Sequence, residues 1–235
     1  MTENIFLSVI VPYHKKCGDI RPGIEKLLSF LNKRSFRSEI LIISQNTVMF
    51  QDTPQNPGSK ISLKILTSSD EKSQNGAYIT GFKNALGEWV ILLDADMISY
   101  TLMIDRVISE MFGSQDVIRT FRVNFSRKSP FRKIGSWIIN AVFNFGNDKK
   151  LRDVGSSLSA YRQNIYRNVY DTRFNKYHFF LPFAVVALAE KNKIKEIPIE
   201  IPPTKHTGSA YSICALLRIT FKVVFMKILT LTSRR

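Results

Sequence analysis

The sequence up to Leu93 contains four short apolar runs separated by helix-like or polar segments, and this alternation constrains the fold more than any other feature. Runs of this length are typical of strands buried on both faces, as in a parallel sheet covered by helices. The four predicted strands are Ile5 to Pro12, Glu39 to Ser44, Ile61 to Leu66 and Glu88 to Leu93. The pattern therefore predicts an α/β fold with a mixed, mostly parallel sheet flanked by helices.

Two helices are predicted between these strands from apolar residues at helical spacing. The first follows Asp19, which can cap it, and carries Pro22 in its first turn. The second spans Asn75 to Leu86 and is ended by Gly87. Beyond Leu93 the pattern is less regular. There we expect helices at Ser99 to Met111, Ile134 to Phe145 and Phe179 to Glu190, and strands at Val117 to Val123, Ser156 to Tyr161 and Lys193 to Ile201.

The length of 235 residues suits one large domain, which we place at residues 1–212, followed by an apolar and basic C-terminal segment, 213–235. The longest apolar stretch, Ile213 to Leu231, is interrupted by Arg218, Lys222 and Lys227, so no ordinary membrane span is predicted. We expect a C-terminal amphipathic helix. It can lie among lipid headgroups or dock on the protein's own core, and the sequence leaves both open.

Cysteine usage and the N-terminus predict a cytoplasmic protein. The two cysteines, Cys17 and Cys214, are far apart, which favours a reducing compartment. The first residues lack the basic and apolar pattern of a secretory signal.

The charge balance predicts an anionic partner, because 34 Lys and Arg against 19 Asp and Glu give a formal charge of +15. Nucleic acid, anionic lipid headgroups and phosphorylated substrates all fit. The chain shows no recognisable nucleic-acid motif, so no specific nucleic acid is expected. One short basic stretch contains Arg119, Arg122, Arg127, Lys128, Arg132 and Lys133.

The predicted helix Ile134 to Phe145 lies near this basic stretch and has an apolar face that includes Trp137 and Val142. Tryptophan suits a membrane interface, whereas ordinary core packing is the alternative for such a face. Together with the basic residues, this helix predicts peripheral binding to the inner face of an anionic membrane, directly or through a membrane-protein anchor.

Two carboxylates follow the fourth predicted strand, at Asp94 and Asp96. Ligands of open α/β sheets bind beyond the carboxyl ends of the strands, so this position favours a site. A hard divalent cation held by one or two carboxylates can neutralise a departing diphosphate. The alternative is a turn at the strand end in which the aspartates cap the following helix.

The wider sequence resembles family-2 glycosyltransferases. Asn75-Gly76-Ala77, Gly81, Ala85, Gly87-Glu88, a strand and Asp94-Ala95-Asp96 are similar to that family's central segment, and Leu7 to Pro12 is similar to its first strand. The order of later motifs resembles the dolichol-phosphate-mannose synthase branch and its bacterial polyprenyl-phosphate relatives. Those motifs are Asp116-Val117, Arg122, Arg132, Asp153 to Arg162, His178 to Pro182, Glu196 to Ile199 and Lys205 to Tyr211.

The resemblance implies a GT-A fold, inverting sugar transfer from a nucleotide-sugar, and Mg²⁺ or Mn²⁺ on Asp94 and Asp96. It implies catalytic roles for Asp94, Asp96 and Asp153. The residues that it implies for nucleotide-sugar binding are Pro12, His14, Ser44, Gly76, Asp94, Ala95, Asp96, Arg122, Arg132 and Lys205. A guanidinium can make forked hydrogen bonds to phosphate, which suits Arg122 and Arg132, although a solvated basic loop is the alternative.

Three positions depart from the family pattern. Ser44-Gln45-Asn46-Thr47 stands where the family has Asp-Asp-Gly-Ser, His14-Lys15-Lys16 replaces an acid-bearing segment, and Ile98 stands where a third metal ligand is sometimes found. Recognition of the nucleotide base must therefore differ, and a catalytically decayed nucleotide-binding protein stays an alternative.

The acceptor decides whether a base is needed. A polyprenyl phosphate already carries a negative oxygen, whereas a saccharide hydroxyl, as in cell-surface polysaccharide or lipopolysaccharide assembly, must be deprotonated. Asp153 is the one base candidate, but it can instead orient Arg122 or Arg132, which is the role we favour.

Overall fold

The computed structural model describes residues 4–14, 17–45, 60–68, 74–123, 130–145, 150–156, 158–169, 193–200, 221, 224–225 and 228. Its strands are β1 (Leu7–Tyr13), β2 (Ser38–Ser44), β3 (Ile61–Thr67), β4 (Trp89–Leu92), β5 (Val117–Arg122), β6 (Ser159–Arg162) and β7 (Ile194–Ile199). Its helices are α1 (Arg21–Asn32), α2 (Gln74–Asn84), α3 (Thr101–Glu110), α4 (Pro130–Asn144) and α5 (Gln163–Val169).

The described strands form one sheet in the order β3-β2-β1-β4-β6-β5-β7. Strands β1 to β4 pair in parallel, and β5 pairs in parallel with β7. Strand β6 runs antiparallel to both of its neighbours, β4 and β5. The predicted mixed, mostly parallel sheet is therefore confirmed.

Helices cover both faces of this sheet because the central strands are apolar on both sides. On one face, α1 and α3 pack on alternate residues of β1, such as Val9 and Val11. On the other face, α2 and α5, together with Phe143 of α4, pack on residues that include Ile10 and Leu92. The two cores keep β4 fully buried.

Some predicted boundaries shift. Helix α1 begins at Arg21, and Asp19 binds the Arg21 backbone N–H at 3.0 Å without being the capping residue, which is Ile20. Strand β6 begins at Ser159, and not at the predicted Ser156, because Ser156 bonds through its side chain to β5. The predicted helix Phe179 to Glu190 lies outside the described residues.

The predicted C-terminal amphipathic helix is described only at Phe221, Val224, Phe225 and Ile228, which are helical and exposed. The division into residues 1–212 and 213–235 stays a prediction. Within the described part of the chain, no helix has both the length and the apolar character needed to cross a bilayer.

A buried carboxylate fixes the start of β4 at the end of the sheet opposite to the Asp94 turn. Glu39 of β2 accepts hydrogen bonds from the Ser8 hydroxyl at 2.6 Å and from the Leu86 backbone N–H at 2.7 Å. It also pairs with the Lys64 ammonium at 2.8 Å. The Gly87 backbone N–H donates to the Ser8 hydroxyl oxygen, so the turn before β4 is joined to β1 and β2.

The same turn has no room for a side chain at Gly87. A Cβ there would lie 2.6 Å from the Ser8 backbone nitrogen and 2.7 Å from the Trp89 carbonyl oxygen. The Gly87 carbonyl accepts a hydrogen bond from the Tyr166 hydroxyl of α5. Burial raises the pKa of Tyr166, which keeps this hydroxyl a donor.

Candidate active site

The candidate site residues gather at one edge of the sheet, where the parallel strands end. Tyr13 of β1 pairs with Ser44 of β2, and β4 continues into Asp94. Because β6 runs in the opposite direction, its first residue, Ser159, lies beside Leu92 at the end of β4. The segment before β6 therefore reaches this edge, and we call its described residues, 151–156 and 158, the β6 approach segment.

The Asp94–Asp96 turn is held by backbone hydrogen bonds and apolar side chains. The Leu93 N–H donates to the Ile10 carbonyl at 3.0 Å, and the Met97 N–H donates to the Asp94 carbonyl at 2.9 Å. The 3₁₀ turn Ala95–Met97 buries Ala95 and Met97, whereas Asp96 is exposed and Asp94 is partly exposed. The backbone thus turns the Asp96 side chain toward solvent.

Helix capping does not account for these two aspartates. Asp94 precedes the 3₁₀ turn but makes no side-chain capping bond to it, and the residue that precedes α3 is Tyr100. The alternative in which the two aspartates cap the following helix is therefore not supported.

The donor set fits a hard divalent cation. Mg²⁺ and Mn²⁺ are commonly held by one or two carboxylates, and their remaining positions are filled by water and substrate phosphate. Asp94 and Asp96 supply carboxylates of this type, while Ile98 is buried and apolar and cannot act as a third ligand. Among the described residues no cluster of three or more His, Cys, Asp and Glu occurs.

A carboxylate-paired arginine lies at the end of β5. The Arg122 Nε donates to Asp153 Oδ2 at 2.6 Å, and its Nη2 donates to Asp153 Oδ1 at 3.0 Å. Both side chains are largely buried, at 17% and 11% exposure. The Gly155 N–H also donates to Asp153 Oδ1, at 3.1 Å. Both oxygens of Asp153 are thus engaged by the fork of Arg122, which agrees with an orienting role for Asp153.

The β6 approach segment is fixed along its length by side chains of its neighbours. Asn144 of α4 both accepts from the Leu151 N–H and donates to the Leu151 carbonyl, at 2.8 Å each. Asn140 accepts from the Val154 N–H at 3.0 Å. At the far end, the Thr120 hydroxyl bonds to the Leu158 carbonyl at 2.7 Å.

The connection between β1 and α1 brings other predicted residues to this edge. Pro12 is partly buried in β1, and His14, just beyond it, is exposed. The Tyr13 hydroxyl donates to the Gly18 carbonyl at 3.0 Å, and Gly18 has a positive φ of 73°. Burial, with Cys17 and Asp19 adding smaller effects, raises the pKa of Tyr13.

Asp19, further along this connection, forms an exposed ion pair with Arg21. Hydrogen bonds from the Arg21 side chain and backbone lower the pKa of Asp19 to about 2. This carboxylate is therefore ionised at neutral pH.

The remaining predicted residues are placed as follows. Ser44 is buried at the end of β2, and Gly76 is buried in the first turn of α2. The backbone of Arg132 lies in α4, but its side chain is outside the described part, and Lys205 lies outside the described residues. The structure therefore brings Pro12, His14, Ser44, Asp94, Asp96, Arg122 and Asp153 to one edge.

One member of the basic stretch was misplaced by the sequence reasoning. Arg119 is 1% exposed and lies inside the sheet, so it does not belong to a solvated basic surface. Its contacts, together with those of Thr120 and Ser156, were also missed. The available signal was its place in the predicted strand Val117 to Val123, where a charged residue between apolar neighbours needs buried partners.

Both the sequence and the fold of this chain are similar to those of known proteins. The sequence profile of glycosyl transferase family 2 matches residues 8–170. The undecaprenyl-phosphate 4-deoxy-4-formamido-L-arabinose transferase of Edwardsiella ictaluri (strain 93-146) is 23% identical over 224 residues, which cover 93% of this chain and 67% of that protein. The enzyme of the same name from Pectobacterium atrosepticum is 26% identical over 223 residues, covering 93% of this chain and 66% of that protein. The chain spans about two thirds of the length of these relatives.

Two solved structures share the fold at low sequence identity. Mannosyl-3-phosphoglycerate synthase from Rubrobacter xylanophilus has a TM-score of 0.68 at 9% identity, covering 98% of this chain and 75% of that one. Glucosyl-3-phosphoglycerate synthase from Mycobacterium tuberculosis, solved with Mn²⁺, UDP-glucose and phosphoglyceric acid, has a TM-score of 0.61 at 10% identity, covering 96% and 79%. The predicted GT-A fold is therefore confirmed.

Proposed function

The chain belongs to glycosyl transferase family 2, and from this premise we propose that it moves a sugar, with inversion, from a nucleotide-sugar to a polyprenyl phosphate. The observation that carries the proposal is the arrangement of the sheet edge. Two carboxylates leave the end of β4, and an arginine held by a carboxylate stands at the end of β5. Since one strand separates β4 from β5, the ends of these two strands lie about 10 Å apart, the spacing of two strand intervals.

The donor diphosphate is assigned to the end of β4. Asp94 and Asp96 would hold a divalent cation, whose positive charge would neutralise the leaving nucleoside diphosphate. Solved neighbours that contain Mn²⁺ and UDP-glucose support the use of a divalent metal. Ser44 and His14 lie beside it at the ends of β2 and β1, so the nucleotide base is read by groups other than the acids common in the family.

The acceptor phosphate is assigned to Arg122. A phosphate oxygen is already anionic, so it attacks the anomeric carbon while the bond from that carbon to the diphosphate oxygen breaks, and no proton has to be removed. Arg122 orients the acceptor phosphate, and Asp153 fixes the plane of its guanidinium. The naming of the relatives as undecaprenyl-phosphate sugar transferases supports this acceptor.

The proposed reaction is tested with purified protein, undecaprenyl or dolichyl phosphate, and a panel of sugar nucleotides in the presence of Mg²⁺ or Mn²⁺. We expect metal-dependent formation of a polyprenyl-phosphate sugar from at least one donor. Turnover of no donor with any lipid phosphate would overturn the proposal.

A saccharide acceptor is separated from a phosphate acceptor by Asp153→Asn. The amide keeps one oxygen for Arg122 but cannot act as a base. With a phosphate acceptor we expect turnover to fall less than about tenfold, whereas loss of a general base costs on the order of 10²-fold or more. A near-total loss of turnover with intact folding would assign the protein to a hydroxyl acceptor.

We further propose that the protein works at the cytoplasmic face of an anionic membrane. Ile134 and Trp137 of α4 are exposed by 54% and 71%, and Phe145, directly after the helix, by 73%, while Phe143 of α4 is buried. One face of α4 thus packs on the sheet and the other presents apolar side chains to solvent. This exposed face and the net charge of +15 together suit a surface of anionic headgroups.

The membrane proposal is tested by sedimentation with phosphatidylglycerol and phosphatidylcholine vesicles. Trp137→Ala should weaken binding to the anionic vesicles about tenfold, because it removes a large interfacial side chain. The matched control is Leu102→Ala, which removes an 81% exposed apolar side chain from α3 on the opposite face of the sheet. Equal effects of the two variants, or equal binding to both vesicle types, would refute this membrane surface.

A further inference from the structure

Arg119 is a charged side chain buried inside the sheet. It lies in the middle of β5 and is 1% exposed. Its Nη1 donates to the Tyr161 hydroxyl at 3.1 Å, and its Nη2 donates to the carbonyls of Val154 and Ser156 at 3.0 and 3.2 Å. Among the described residues its partners are neutral, and its Nε is buried without a partner.

Burial of this guanidinium costs free energy that core packing alone would not require. A guanidinium taken out of water loses several kcal/mol of hydration, and neutral oxygens return less of that than a carboxylate would. A neutral side chain of similar size would fill the same space at lower cost. Residues that break the burial rule in this way are expected where function requires them.

The two carbonyls that Arg119 holds belong to the β6 approach segment. They stand on either side of Gly155, whose N–H points to Asp153 Oδ1. Arg119 therefore holds the backbone of the segment at Val154 and Ser156, while the Asp153 carboxylate of the same segment pairs with Arg122. A Cβ on Gly155 would lie 3.6 Å from Asp153 Oδ1 and 3.7 Å from Arg122 Nη2, so the segment passes close against the ion pair.

Strand β5 thus contacts the β6 approach segment through the side chains of three of its residues. Arg119 holds the carbonyls, Thr120 bonds to the Ser156 hydroxyl at 2.5 Å, and Arg122 binds Asp153. The position of the Asp153 carboxylate consequently depends on Arg119, although the structure gives no direct bond between these two side chains.

We propose that Arg119 is a positioning residue for the acceptor, which sets Asp153 and, through it, the Arg122 guanidinium that receives the acceptor phosphate. The proposal rests on the proposed function in one respect, the assignment of the acceptor to Arg122. Arg119 itself touches no substrate. Its effect is specific to one substrate because the Asp94–Asp96 turn is held by other bonds.

The test compares Arg119→Lys and Arg119→Met with the wild-type protein. Lysine keeps the charge but cannot reach two carbonyls and a phenol with a fixed fork, and methionine loses both charge and donors. We expect Arg119→Met to raise KM for the lipid phosphate at least about tenfold, with Arg119→Lys intermediate and KM for the sugar nucleotide within about twofold of wild type. The matched control is Arg106→Met, which removes an exposed charge from α3.

Two further measurements keep the proposal open to refutation if Arg119→Met does not fold. If Arg119 acts through Asp153, Arg119→Lys should add little to Asp153→Asn in a double-mutant cycle, and fully additive effects would overturn the proposal. Hydrogen exchange should also be faster at the amides of residues 153–156 in Arg119→Lys than in wild type. Unchanged exchange there, or a parallel rise of both KM values, would equally overturn it.

Failure of the proposed function gives a different result. Wild-type protein would then transfer no sugar to lipid phosphate, while the exchange measurement would still report whether Arg119 holds the segment.

Discussion

The carboxyl edge of the sheet has two sides that are built in different ways. On the β4 side, backbone hydrogen bonds and the buried Ala95 and Met97 set the path of the Asp94–Asp96 turn. On the β5 side, the path of the β6 approach segment is set mainly by side chains, among them Arg119, Arg122 and Asn144.

This difference teaches where chemistry and stability can be separated. A side chain that makes no contact needed for the backbone path can be replaced without a loss of stability, as we expect for Asp96. Replacement of a side chain that also bonds to a neighbouring segment should lower the stability. Substitutions on the β4 side should therefore affect turnover alone, and those on the β5 side should affect turnover and stability together.

The largest expected effect is on the β4 side. Asp94→Asn or Asp96→Asn should lower turnover on the order of a thousandfold or more, because an amide is a poor ligand for a hard cation and several kcal/mol of charge stabilisation are lost. Asp96→Asn should leave the melting temperature unchanged, because this side chain is exposed. Removal of metal with a chelator should match the effect of the variants on turnover.

Calorimetry and steady-state kinetics check this prediction, with Glu25→Gln on the exposed face of α1 as the control. Nucleoside diphosphate with Mn²⁺ should stabilise the wild-type protein against heat but not the Asp96→Asn variant. Equal stabilisation of both proteins would show that the metal does not bind at this turn.

The next largest effect is expected on the β5 side. Arg122→Met should lower kcat/KM for the lipid phosphate on the order of a hundredfold, since it removes a forked cation from the acceptor. It should also lower the free energy of unfolding by about 3 kcal/mol, because Asp153 is left largely buried without its partner. Arg122→Lys should recover part of the stability and less of the activity, and a fully active, fully stable Arg122→Met would contradict the contrast between the two sides.

Gly87→Ala tests the backbone contacts at the start of β4, which lies at the end of the sheet opposite to the Asp94 turn. The new Cβ would meet backbone atoms of Ser8 and Trp89, which cannot move without shifting β1 or β4. We expect a loss of about 2 kcal/mol in the free energy of unfolding, measured in urea. Gly113→Ala is the matched control, since its Cβ would meet only the end of the Gln115 side chain.

The smallest effect is expected at Asn144. Its replacement by alanine removes two hydrogen bonds to the Leu151 backbone and should cost about 1 kcal/mol of stability. We expect KM for the acceptor to rise a few-fold and KM for the donor to stay constant. Asn168→Ala, which loses one exposed bond within α5, should change neither KM.

The sequence predicted the β4 side better than the β5 side. Strands β1, β2 and β4 are buried along nearly their whole length, and such runs need no knowledge of partners to be recognised. The turn at Asp94 follows directly from the end of the fourth run. The sequence pattern is sufficient here because the turn follows its own strand directly in the sequence.

The β5 side depends on contacts between residues distant in the sequence. Strand β6 has four residues, Ser159–Arg162, too few to show its antiparallel direction. Arg122 and Asp153 are separated by 31 positions. The sequence therefore suggested Arg122 or Arg132 as the partner of Asp153 and could not decide between them. Arg119 was grouped with a basic surface because its partners include backbone carbonyls, and the sequence pattern gives no sign of such partners.

The buried Glu39 carboxylate has a consequence for how the chain folds. Its partners come from three other segments, at Ser8, Lys64 and Leu86. An assembly in which β1, β2 and β3 pair out of step would leave this acid desolvated with too few donors, at a cost of several kcal/mol. Glu39 therefore selects against mispaired sheets during folding and makes assembly of the first four strands cooperative.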